Sequence, residues 1–310
     1  MTSIADVRVL VLGDNGFLGK AVRAELLRRN IPSLGASRST GLDLRLEGEL
    51  TSFIDTSGAT TIINCAAHVG GIEYGLRNQE TMFSDNSKMT LNVLRESSIA
   101  NVRLINPISN CAYPGSATIL RQNEFWDGEV HDSVYSYGQT RRFLVAGSSI
   151  YQKSSGLDVI NIVFPNIYGP GDHLDPVRAH ALGGIISRMV KVIKNGEQEF
   201  SVWGTGRPIR EWMYISDAAN ALVNAVDSNS SQKILNLGIG KGISISNLVN
   251  IVARNLDFQG QITFDEDKPD GALEKIMEIE SGPEHLNWSP QIDFEEGVKL
   301  TTKWFLEQIA

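Results

Sequence analysis

The most chemically suggestive stretch of this chain is Gly13-Asp14-Asn15-Gly16-Phe17-Leu18-Gly19, a G-x-x-G-x-x-G run between an apolar segment and a helical pattern. Glycine is needed where a chain turns tightly and where backbone N–H groups must approach a pyrophosphate. A helix starting there adds the positive end of its dipole. The segment after the next apolar run, Gly35-Ala36-Ser37-Arg38-Ser39, carries a base and two hydroxyls where an acid would accept a ribose 2′-OH. A guanidinium pairs well with phosphate, so Ser37 and Arg38 point to NADP(H), with NAD(H) as the alternative. Asp43 and Leu44 could meet the adenine end. Several side chains able to move protons are scattered further on. They are Tyr137 with Arg141 one helical turn later, Cys111 two residues after Ser109, and His180. A thiol can act as a base once its site favours thiolate, and histidine titrates near neutrality.

These residues need a frame. The spacing predicts buried strands at Val7–Leu12, Ser33–Ser37, Ala59–Asn64, Arg103–Ile108 and Leu157–Phe164. Helices are predicted at Lys20–Arg29, Phe83–Ile99 and Tyr137–Gln152. Pro107 is unusual for a central strand. Alternating β and α segments imply an α/β fold: a Rossmann-type doubly wound parallel sheet. After Pro165 the pattern becomes richer in glycine and proline. Helices follow at Ala179–Asn195, at Ser246–Leu256 capped by Ser244 or Ser246, and at Phe294–Gln308; strands follow at Ile234–Leu237 and Gln261–Phe264. The expected division is a cofactor domain over 1–166 with about 212–238, and a smaller α/β substrate lobe over 167–211 with 239–310.

Composition narrows the classes. The chain has 310 residues, 28 Lys+Arg against 36 Asp+Glu, and a net charge of −8. An acidic balance argues against a nucleic-acid binder. No apolar run is long enough to span a membrane, and the first residues lack a signal-peptide pattern. With only Cys65 and Cys111, a disulfide scaffold is excluded and a cytoplasmic setting is expected. No Cys-x-x-Cys or His-x-x-x-His pair suggests a metal.

Taken together, these residues resemble an extended short-chain dehydrogenase/reductase. The resemblance rests on the glycine turn, Asn64-Cys-Ala-Ala67, Ser109, Tyr137-Gly-Gln-Thr-Arg141 and Pro165-Asn-Ile-Tyr-Gly-Pro170. Within that superfamily the chain is most similar to the GDP-L-fucose synthases, 3,5-epimerase/4-reductases of GDP-4-keto-6-deoxymannose. The matching segments are Ala67–Ile72, Ser109–Pro114, His180, Val202–Glu211 and Lys268–Gly271. The resemblance implies NADP(H) and a nucleotide-diphosphate sugar, GDP-linked, in a cleft between two lobes. It also implies a homodimer through two helices per subunit.

By the same resemblance Tyr137 donates a proton to the C4 oxygen, Ser109 hydrogen-bonds that oxygen, Cys111 is the base of epimerisation and His180 the acid. Arg141 stands where the family has lysine. It supplies a cation and donors for ribose hydroxyls but does not easily release a proton. Ala66, Ala67, His68, Pro165, Asn166 and Ile167 join Tyr137, Arg141 and His180 around the cofactor. Asn166, Arg188, Trp203, Arg210 and Lys275 meet the substrate. Leu273-Glu274 replaces the family's Pro-Arg before that lysine. Other activities stay open: only the reductase or the epimerase half, or a cofactor-binding sensor that kept the fold.

Overall fold

Val9–Leu12, Thr61–Asn64 and Val159–Phe164 are buried at every residue, as strands covered on both faces must be. The computed structural model describes residues 8–228, 234–268, 270–279 and 282–309. Val7 of the expected first strand, the other residues before Arg8, Pro269 of the Lys268–Gly271 segment and Ala310 lie outside them. The first half runs β1 (Val9–Leu12), α1 (Phe17–Arg28), β2 (Ser33–Ala36), α2 (Glu49–Ser57), β3 (Thr61–Asn64), α3 (Ile72–Arg77), α4 (Gln79–Ile99), β4 (Arg103–Ser109), β5 (Ile119–Leu120), α5 (Tyr135–Ser155) and β6 (Val159–Phe164). The second half runs β7 (Asn166–Tyr168), α6 (Ala181–Lys194), β8 (Glu199–Trp203), β9 (Ile209–Tyr214), α7 (Ile215–Asn224), β10 (Leu235–Asn236), β11 (Gly242–Ser244), α8 (Ile245–Asn255), β12 (Gln261–Asp265), β13 (Glu274–Met277), α9 (Gly282–His285) and α10 (Phe294–Ile309).

The main sheet has the order β2-β1-β3-β4-β6-β10 and is parallel throughout. The chain leaves β1 to one side for β2 and returns to the other for β3. That reversal opens a crevice at the carboxyl ends of the strands. One face packs Val93, Leu94, Leu144 and Val145 of α4 and α5. The other packs Val22 and Leu26 of α1 with Ala218 and Leu222 of α7. This is the Rossmann-type sheet expected. Pro107 is tolerated because the pairing of β4 with β3 ends at Ile105, while its pairing with β6 continues to Ser109.

The second lobe is a mixed sheet, β11-β9-β13-β5 with β7 beside β9, and a separate β8–β12 pair. Its core gathers Leu182, Met189, Trp212, Leu248 and Phe305. Ser244 caps α8, its hydroxyl accepting from the Asn247 N–H at 3.2 Å. Strand β9 belongs to this sheet, whereas α7 packs on α1, and Leu286 and Trp288 join the α1–α7 core. Among the described residues, no helix is long and apolar enough to cross a membrane.

Candidate active site

At the end of β1 the chain turns through Gly13 at φ +71°, a region only glycine enters cheaply. A Cβ there would lie 2.8 Å from the Ala66 Cα, and one on Gly19 only 2.2 Å from the Gly13 oxygen. Helix α1 therefore begins inside the turn, at Phe17, three residues earlier than apolar spacing alone suggests. Gly16 caps it without a side chain, and no acidic residue sits in its first turn. Its amide groups are left for an anion. Asn15 Nδ2 donates to Ser37 Oγ at 3.1 Å and Ser39 Oγ at 2.6 Å, gathering the hydroxyls beyond β2. Arg38 is exposed and has no ion-pair partner among the described residues. The side chains of Asp43 and Leu44, expected at the adenine end, have partners within the protein. Asp43 is gripped by Arg45 at 2.6 Å, whose hydrogen bonds hold its carboxyl down at about 2. The Leu44 side chain is core. These residues fit a dinucleotide, and two buried polar atoms, Asp14 Oδ1 and Arg141 Nε, have no protein partner.

The reactive side chains converge where β4 ends. Ser109 Oγ accepts from the Cys111 N–H at 3.3 Å, and Gly138 packs against the Cys111 carbonyl. The Arg141 guanidinium lies 5.0 Å from the centre of the Tyr137 ring. Burial pushes the Tyr137 phenol up, against the pull of Arg141. Desolvation thus outweighs the cation that sequence reasoning emphasised, and the phenol keeps its proton. Burial likewise pushes the Cys111 thiol up to about 11, while Ser109, Arg141 and Lys275 pull it back.

Arg141 is itself fixed. Its Nη2 donates to Asn86 Oδ1 at 3.2 Å, and the same oxygen accepts from the His68 N–H at 2.9 Å. Asn86 Nδ2 donates to the His68 and Met82 carbonyls. Composition gave no sign of Asn86, which lies on α4 with its amide fully used. His68 Nδ1 meets Asp85 Oδ2 at 2.9 Å and Nε2 meets the Tyr74 hydroxyl at 2.8 Å, so its ring is committed to the protein.

His180 sits on the other side. Its Nδ1 meets Asp172 Oδ1 at 2.9 Å, and its ring lies 5.3 Å from Phe17 of the glycine turn. Asp172 holds Nδ1–H and leaves Nε2 for chemistry. The Gly70–Gly71 loop closes the space between: Gly71 packs on the Val177 and Ala179 carbonyls, while Gly70, Gly71 and Tyr137 line one pocket. Pro165 is buried behind β6, Ile167 packs beneath it, and Asn166 Nδ2 donates to the Glu211 carbonyl at 3.0 Å.

Among the cations, Arg210 and Lys275 are partners across β9 and β13. Burial lowers both, Lys275 to about 8 with further help from Arg210. Arg188 is also lowered by burial and stacks 5.2 Å over Phe200. Trp203 is 59% exposed with Lys268 over its ring. Glu211, also missed, is fully buried. It accepts from the N–H groups of Ile239, Gly240 (2.9 Å) and Met277 (2.6 Å), tying β9 to β13.

A family model described as the NAD dependent epimerase/dehydratase family matches residues 9–238. A GDP-L-fucose synthase of Sinorhizobium fredii is 30% identical, covering 98% of this chain and 96% of that protein. A probable GDP-L-fucose synthase 1 of Oryza sativa is 27% identical over 97% of this chain and 93% of its own length. A crystal structure of a GDP-L-fucose synthetase from Naegleria fowleri is 26% identical over 100% of this chain and 95% of that one, with a TM-score of 0.85. A second structure of that synthetase, bound to NADP, superposes with a TM-score of 0.86 at 24% identity over 98% and 95%. The chain belongs to the NAD dependent epimerase/dehydratase family and is closely related to the GDP-L-fucose synthases.

Proposed function

We propose that the protein is an NADPH-dependent 3,5-epimerase/4-reductase acting on a nucleotide-linked 4-keto-6-deoxyhexose, with GDP as the nucleotide. The observation that carries this reading is the convergence of Ser109, Cys111 and Tyr137 around the buried Arg141 cation at the end of β4. The relatives named as GDP-L-fucose synthases and the NADP bound by the Naegleria enzyme support the substrate and the cofactor.

A bound cofactor would be held by the glycine turn, with Arg38, Ser37 and Asn15 placed to take its 2′-phosphate and the unpartnered Nε of Arg141 to take its ribose. When bound, it supplies the hydride that reduces C4. Tyr137, kept protonated by burial, gives its proton to the C4 oxygen while Ser109 hydrogen-bonds it. Arg141 then stabilises the phenolate. Cys111 removes a proton beside the carbonyl, and His180, held by Asp172, returns one to the opposite face. Asn166 orients the sugar; Arg188, Arg210 and Lys275 balance the diphosphate, with Trp203 at its edge. The cofactor domain and the substrate lobe meet at this cleft, with β5 and β9 given to the second sheet and Leu286 and Trp288 to the first core.

A homodimer completes the reading. Phe83 and Leu91 of α4 and Phe143 and Ile150 of α5 expose an apolar face that suits a second copy. A cytoplasmic location suits the reaction, and fractionation of cells checks it. The raised Cys111 thiol favours one second reading, a 4-reductase without epimerisation. The direct test is NADPH oxidation against GDP-, UDP- and dTDP-linked 4-keto-6-deoxyhexoses. Turnover with the GDP sugar alone is expected; turnover only with another nucleotide would overturn the GDP assignment.

A further inference from the structure

The turn that carries Cys111 is held by cations from both lobes. From the cofactor side, Arg142 of α5 donates Nε to the Ala112 carbonyl at 2.6 Å, Nη1 to Gly128 O at 2.7 Å and Nη2 to Phe125 O at 3.0 Å. From the other lobe, Lys275 of β13 donates Nζ to the Pro114 carbonyl, three residues beyond Cys111. Two pairings keep the lysine in place: Lys275 lies opposite Arg210 on β9, and Ile276 and Met277 pair with Ile119 and Leu120 of β5, further along the same excursion. Arg142 has three carbonyls to satisfy and is a tether. Lys275 has a single carbonyl and no carboxylate partner among the described residues.

We propose that Lys275 is the positioning residue of Cys111: docked on the Cys111 turn from the opposite lobe, it is the counter-ion that makes the thiol a base. This rests on the reading of Cys111 as the epimerisation base. The S–H bond of Cys111 breaks, its proton passes to water, and the charged Lys275 amine stabilises the thiolate left behind.

The surroundings suit a counter-ion. The thiol faces Ser109 of β4, Arg141 and Tyr137 of α5, and Lys275. The amine faces Cys111 and Arg210, and Asp270 partly offsets Arg210. Desolvation lowers the lysine only to about 8, so it keeps its charge at neutral pH, as a counter-ion requires.

The test uses iodoacetamide on the full chain without sugar or cofactor. Alkylation of Cys111 is followed by peptide mass spectrometry, which separates it from Cys65, across neutral to alkaline pH. Lys275→Met is expected to slow Cys111 alkylation at neutral pH by roughly tenfold, about one pH unit of thiol acidity. Lys275→Gln keeps a donor for the Pro114 carbonyl but no charge, and is expected to lose as much. Lys275→Arg should restore most of the reactivity. A wild-type alkylation profile in Lys275→Gln, with an unchanged melting curve, would overturn the proposal. Absence of turnover on every keto-sugar would count against the activity proposed above and leave this result standing.

Discussion

Tyr137 and Cys111 sit within one cluster yet answer pH in opposite senses. Burial raises both, so each holds its proton longer than it would in water. For a donor that is an advantage: in the proposed reaction Tyr137 can give its proton to the C4 oxygen as long as it holds one. For a base it is a handicap: the Cys111 thiolate becomes more abundant as pH rises toward about 11. Solvent exchange at C3 and C5 should therefore accelerate with pH across the neutral to alkaline range. Reduction at C4 should hold level and then fall as the phenol ionises. Product analysis at several pH values reads both rates, and an exchange rate that falls with rising pH would contradict the assignment of the thiol. Tyr137→Phe should cost reduction about 10²- to 10⁴-fold and leave exchange in place. Much of this was legible through the family resemblance, since a cysteine or histidine taken alone is more often packing than chemistry. What could not be read was the sign of the phenol's shift, which depends on desolvation. Nor could the sequence show that Asn86 would fix Arg141 or that Asp172 would hold His180.

Helix α2 shows how a distant side chain completes an element. Its cap, Gly48, has no side chain to offer. Glu96 of α4, 2% exposed, accepts instead from the Gly48 N–H at 2.8 Å and the Thr51 N–H at 2.7 Å. Glu96→Gln replaces one acceptor by an NH₂ facing those donors. It should cost roughly 1–2 kcal/mol, the scale of a lost cap. Thermal denaturation checks this, and an unchanged melting temperature would contradict it. The strands of the main sheet were readable because β-branched runs buried on both faces leave an unbroken apolar signal. Helix α4 starts at Gln79 rather than Phe83 because its polar first turn carries no such signal. Strands β7, β9, β11 and β13 were not readable. They are short, half polar, and defined by partners far away in sequence, such as Lys275 opposite Arg210. Helix α7 was missed because it follows β9 directly, with no turn residue to mark its start, and it buries Ala218, Ala221 and Leu222 against α1.

On the scale of the whole molecule, charge is unevenly placed. The chain is acidic overall, at −8, while Arg141, Arg188, Arg210 and Lys275 are withdrawn from solvent near the cleft. A negative exterior repels anions in general, and the desolvated cations attract one that fits between the lobes. The proposed dimer would form through the exposed apolar face of α4 and α5. Leu91→Asp combined with Ile150→Asp should convert a dimer to a monomer in size-exclusion chromatography with light scattering. An unchanged mass would contradict that face as the interface. The central claim is that one cleft performs both epimerisation and reduction. It is tested most directly in heavy water, with NADPH and GDP-4-keto-6-deoxymannose, by locating deuterium in the product by NMR. Deuterium at both C3 and C5 together with NADPH consumption is predicted. NADPH consumption with no deuterium at either carbon would contradict it and leave a 4-reductase.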